Sequence, residues 1–130
     1  NMNKLCNHNL KRLCKMARAW KDKNNVDISG ILIDILAYKF LSTWSYREKS
    51  YFYYDWMARD FFEYISKVPT EQYKWQAMGS GRYIYCLGKF QAKAKTAYKK
   101  SQMAIYYGEK YPSLANREWK DVFGNKFPLL

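Results

Sequence analysis

"ISGILIDILAYKFLSTW" (Ile28–Trp44) is the stretch whose reading decides the fold. Ile31, Leu32, Ile33, Ile35 and Leu36 cover nearly the whole circumference of a helix built from it. A helix that is apolar on all sides belongs in the middle of a bundle. Asp27 or Ser29 supplies the N-terminal cap. Asp34 is the exception, a single carboxylate inside the apolar run. An unpaired buried charge is costly, so Asp34 is expected to find a partner or to turn toward an edge.

Upstream, Leu10, Leu13, Ala17 and Trp20 recur at three- and four-residue steps, one stripe of a first helix over roughly Lys4 to Lys23. Lys4, Lys11, Lys15 and Arg18 fall on its opposite side at 100° per residue. For any single lysine there, a solvated face is the simplest reading. Downstream, "SYRE" (Ser45–Glu48) has the form of a capping box. A third helix follows with Phe52, Trp56, Phe61, Phe62 and Ile65 as its core, stopping near Val68 because Pro69 comes next.

From Thr70 to Gly88 the helical period is lost. "TEQYKWQAM" reads as a short helix capped by Thr70, and "GSGRYIYCLG" as a turn with "RYIYCL" briefly extended. Gly79-Ser80-Gly81 lacks the spacing and the Lys-Ser/Thr pair of a phosphate loop, so it reads as a plain turn. A long helix then runs from about Lys89 to Glu109. Phe90, Ala94, Ala97, Ser101 and Ala104 form its narrow packing face, while Lys89, Lys93, Lys95, Lys99 and Lys100 crowd the remainder. Pro112-Ser113 breaks it, with Ser113 expected to cap a last helix that carries Trp119 and stops at Gly124. Trp119, Phe123 and Phe127 form a closing aromatic plug, with Phe127-Pro128 folding back. The expected architecture is all-α: a single domain over residues 1–130, one bundle of about five helices with a short irregular insert near residues 70–88.

Composition narrows the function. The chain has 23 basic against 11 acidic residues, a formal charge of +12, and is 48% hydrophobic. Such a surplus on a packed domain favours a polyanionic partner. Cys6, Cys14 and Cys86 are an odd set without framework spacing, pointing to a reduced, cytoplasmic setting. Cys6 and Cys14 lie two helical turns apart and His8 is the only histidine, so a tetrahedral metal site is not expected. No apolar run reaches the length of a membrane span, and no membrane partner is expected. The start does not read as a signal peptide. The acids are scattered with no Asp-x-Asp, and no Ser/His/Asp or Cys/His pattern forms around His8. Alone, the chain is not expected to catalyse.

The order of motifs resembles a known family. "LKRLCKMARAWK" (Leu10–Lys21) followed by "ISGILIDILAYKFL" (Ile28–Leu41) is similar to the opening of the C-terminal helical lobe of bacterial nucleotidyltransferases. These are relatives of cyclic GMP–AMP synthase and oligoadenylate synthase found in anti-phage signalling operons. "GKFQAKAKTAYKKSQMAIYY" (Gly88–Tyr107) and "REWKDVFGNKFP" (Arg117–Pro128) resemble the later part of the same lobe. The resemblance implies a partner lobe with a Gly-Ser turn and an Asp-x-Asp pair holding magnesium. Joined to it, the complete enzyme would turn ribonucleotide triphosphates into cyclic or linear oligonucleotides. It further implies that Arg18, with Lys15 one turn earlier, contacts the donor triphosphate, and that Ser29 meets the phosphates. The aromatic residue some relatives carry there is missing, since the segment reads Ser29-Gly30-Ile31. Two other readings stand beside this one. One is a stand-alone basic module binding RNA or DNA through Lys89, Lys93, Lys95, Lys99 and Lys100. The other is a bundle whose lysines only keep it in solution.

Overall fold

The structure, a computed structural model, describes residues 4–45, 53–77 and 79–127, without the side chains of residues 4–7 and 126. Tyr46–Glu48 of the "SYRE" capping box, Phe52 and Pro128 lie outside the described residues. Among those described, five α-helices form one bundle: α1 (Lys4–Asn24), α2 (Gly30–Thr43), α3 (Tyr53–Ser66), α4 (Gln91–Tyr107) and α5 (Pro112–Phe123). Between α3 and α4 stands an antiparallel hairpin, β1 (Lys74–Gln76) with β2 (Tyr83–Tyr85).

The periodic stripes become the core. Leu13, Ala17 and Trp20 of α1 are buried, with Leu10 half-buried at the stripe's end, while Lys11, Lys15 and Arg18 are exposed. Ser29 caps α2 by accepting the Leu32 N–H at 3.2 Å. That helix buries Leu32, Ile33, Ile35, Leu36, Ala37, Phe40 and Leu41, but Ile31, Tyr38, Lys39 and Ser42 are exposed, so α2 has a solvent side and does not stand in the middle of the bundle as its apolar run suggests. Aromatic rings tie four helices together. Phe40 meets Phe61 at 5.7 Å, Phe61 meets Phe62 at 5.8 Å, and Phe62 touches Trp20 at 5.1 Å and Phe123 at 6.0 Å between centroids. Each such pair adds a little beyond the area it buries.

α4 packs against α3 on one side and α5 on the other. Ala94, Ala97, Ser101 and Ala104 are all buried, which is what close approach of neighbouring backbones requires. The buried Ser101 hydroxyl bonds back to the Ala97 carbonyl at 2.8 Å. Gln91 closes the start of α4. Its side chain accepts the Phe90 N–H at 3.0 Å and donates to the Val68 carbonyl at 3.2 Å, joining the end of α3 to the beginning of α4.

Two local expectations are corrected. The segment after Thr70 is no helix: Lys74–Gln76 pairs with Tyr83–Tyr85 in the register Trp75↔Ile84. Only Trp75 on β1 turns inward, packing on Phe90 at 6.5 Å, so burial favours extended backbone over a helical stripe. Gly79 (φ +80) and Gly81 (φ +72) make the turn, in a region where glycine is unstrained. Ser113 does not cap α5. Tyr111 holds the N-cap position without a side-chain bond, and Pro112 opens the helix, where its missing N–H costs nothing.

The closing plug docks on its own bundle. Trp119, Phe123 and Phe127 stack at 5.8, 6.0 and 6.4 Å with interplanar angles below 30°. Gly124 (φ +79) reverses the chain over the Lys23 side chain. Asn24 at the end of α1 donates to the Val122 carbonyl at 2.9 Å. No helix among the described residues is long and apolar enough to cross a membrane.

Candidate functional site

Lys15 and Arg18 stand on the solvent side of α1 because the buried stripe occupies the other side. Packing α2 against α1 brings the start of α2 under this basic face. The Arg18 guanidinium donates to the Gly30 carbonyl at 3.3 Å and to the Asp34 carboxylate at 3.0 Å. Its plane covers Gly30, where an added Cβ would meet the guanidinium at 3.3 Å. Ser29 is the next residue back, its hydroxyl already engaged in capping. Residues separated by eleven positions in sequence thus converge at one helix start, where unpaired N–H groups and the helix dipole favour an anion.

Asp34, the anomaly of the apolar run, is explained by this pairing. The side chains of Arg18 and Asp34 are 48% and 40% exposed, so the pair contributes little to stability. Its role is geometric, since it fixes where the guanidinium points. Asp34 Oδ1 is buried with no N–H or O–H partner. Beside the carboxylate lies Cys14, its thiol pushed up to about 12 by burial first, and then by Asp34.

A thiol held that high is inert at ordinary pH. Against the ordinary thiol value of 9.0, a value of about 12 lowers the reactive thiolate fraction at pH 8 by on the order of a thousandfold. Cys14 in the folded protein is therefore expected to react with iodoacetamide about two to three orders of magnitude more slowly than in urea. Asp34→Asn should leave most of this protection, because burial is the larger cause. Labelling at the unfolded rate, followed by peptide mass mapping, would show the thiol is not so held.

The five lysines at and along α4 separate into two groups. Lys93 Nζ donates to the carbonyls of Asn24 and Asn25 at 2.8 and 3.0 Å, placing a cation on the negative end of α1. Lys100 pairs with Asp121 at 3.1 Å and lies 4.0 Å from Glu118 on α5. Lys89 donates to the Thr70 carbonyl. These three amines are engaged by groups on other parts of the chain. Lys95 and Lys99 are exposed and have no partner among the described residues. Sequence reasoning missed the division because the partners lie on other elements.

Among the described residues no group of three or more His, Cys, Asp or Glu side chains could hold a metal. These residues do not fit the magnesium site that the family resemblance implies, which that resemblance assigns to the other lobe. No family model, no curated protein and no solved structure matches the chain.

Proposed function

We propose that this chain is the C-terminal helical lobe of a cytoplasmic nucleotidyltransferase that makes cyclic or linear oligonucleotide messengers in anti-phage defence. One observation carries the reading. Arg18 and Ser29, which the motif resemblance assigns to the donor triphosphate, belong to different helices and meet at Gly30. Lys15 lies one turn away on the same exposed face. A guanidinium with fixed direction suits a phosphate. The lobe's part is to bind and orient the triphosphate, while the carboxylates and magnesium belong to the partner lobe.

The test pairs this chain with a lobe bearing the Gly-Ser turn and the Asp-x-Asp pair. Lys15→Ala with Arg18→Ala is expected to lower oligonucleotide formation from ribonucleotide triphosphates by about tenfold, the loss of one or two charge-assisted phosphate contacts. The melting temperature should hold, since both side chains are exposed. Unchanged turnover would overturn the assignment.

A second reading, a basic RNA- or DNA-binding module, now leans on Lys95 and Lys99. The amines of Lys89, Lys93 and Lys100 are engaged within the fold. Exchanging Lys95 and Lys99 for glutamate in a gel-shift assay with double-stranded RNA separates the readings, because the triphosphate site lies elsewhere.

A further inference from the structure

The hairpin has two faces with different fates. Trp75, 4% exposed, fixes one face to Phe90 at the start of α4, and Ile84 opposite it is half-buried. The other face has no task inside the bundle, yet it carries large rings. Tyr73, Tyr83 and Tyr85 are 51%, 53% and 64% exposed, and Leu87 just beyond them is also exposed. Tyr73, just before β1, and Tyr85 of β2 stack at 6.2 Å with an interplanar angle of 24°, both rings more than half exposed. The Lys74 ammonium sits 4.7 Å from the centroid of the Tyr83 ring. A cluster of exposed rings of this kind marks a binding surface.

Charge identifies the occupant. No acidic residue occurs between Gln72 and Gly108, while Lys74 and Arg82 flank the rings. The whole chain carries +12, so a second copy would bring like charge to like charge. Rings alternating with cations match a strand that offers bases and phosphates in turn. A duplex keeps its bases stacked on one another and offers these rings only backbone. We propose that the outer face of the hairpin is a stacking platform for single-stranded nucleic acid: Tyr73, Tyr83 and Tyr85 take bases, and Lys74 and Arg82 take phosphates. The platform shares no residue with the Lys15–Arg18–Ser29 site, so the two assignments stand or fall separately.

Fluorescence anisotropy with labelled oligouridylate and oligothymidylate of about 12 nucleotides, and with a duplex of equal length, tests it. Tyr73→Ala with Tyr85→Ala is expected to weaken binding of the single strands by at least about tenfold and to leave the weak duplex binding unchanged. Tyr85→Phe keeps the ring and should bind as the parent does. Lys74→Ala with Arg82→Ala should flatten the fall in affinity between about 50 and 200 mM salt. All four side chains are exposed, and circular dichroism with a thermal melt verifies folding of each variant. Lys15→Ala with Arg18→Ala should bind the strands normally. Three results would overturn the platform: single-strand binding that survives loss of both rings, tighter binding to duplex than to single strand, or a tyrosine-dependent self-association in place of nucleic-acid binding.

Discussion

Phe123→Ala is expected to destabilise the protein by about 3–5 kcal/mol, the usual cost of removing a fully buried phenyl ring. Phe123 is 2% exposed and touches Phe62 of α3, and it also contacts Trp119 and Phe127, which contact each other. Deleting it removes the ring through which the end of the chain grips the centre of the bundle. The surrounding rings are rigid and come from three separate elements, so the cavity cannot easily collapse. Against a typical total of about 5–15 kcal/mol, such a loss takes away much of the margin. Denaturant unfolding should show it directly, with a melting temperature lower by on the order of 10–20 °C. Phe127→Ala, at the half-buried end of the stack, should cost less. A loss below about 1 kcal/mol for Phe123→Ala would mean that the plug is not seated on the core.

Gly88→Ala is expected to cost up to about 3 kcal/mol, the upper end of the range for overfilling a packed site. A Cβ at this position would run into both the carboxylate and the backbone carbonyl of Asp27. The carboxylate can rotate away; the carbonyl cannot. The same carbonyl faces the Cys86 sulfur at 3.9 Å, so the exit of the hairpin is pressed against the α1–α2 connection. The substitution should therefore loosen the hairpin first. Hydrogen exchange should rise at the Cys86 N–H, which bonds the Tyr73 carbonyl at 2.9 Å, before it rises in the helices. Equal stability and equal exchange in the variant would show that the contact is not tight. Because Asp27 stands only two residues before Ser29, a change here also tests whether the hairpin and the start of α2 hold each other in place.

The helices were legible because each long amphipathic segment repeats its stripe several times, as Leu13, Ala17 and Trp20 do in α1. The close-packed seam of α4 was legible for the same reason, with small residues returning at regular steps. The hairpin was legible only in its second strand, where "RYIYCL" reads as extended and Tyr83–Tyr85 is β2; its first strand was not. Strands of three residues, with Trp75 and Ile84 as their inward positions, offer too few alternations to reveal a period of two. At the start of α5, Ser113 has the chemistry of a cap, yet Pro112 sets the first helical residue and moves the boundary back to Tyr111. The candidate site was half legible. Asp34 stood out as a charge needing a partner, but nothing local names Arg18, sixteen residues away, as that partner. Lys93 and Lys100 look like Lys95 and Lys99 in sequence, and only the neighbouring ends of α1 and the side of α5 distinguish them.

If Arg18 contacts a phosphate as proposed, its pairing with Asp34 bears on how that phosphate would be received. A free arginine side chain gives up about 1.5–2 kcal/mol of rotamer freedom when it is fixed. Here the Gly30 carbonyl and the Asp34 carboxylate restrain it before any ligand arrives. Preorganisation of this kind raises affinity by removing a cost from the binding step. Both restraints come from α2 while the arginine comes from α1, so the guanidinium's aim is set by the angle between two helices. A small tilt of α2 against α1 would re-aim it with every side chain intact, and would weaken the phosphate contact proposed above.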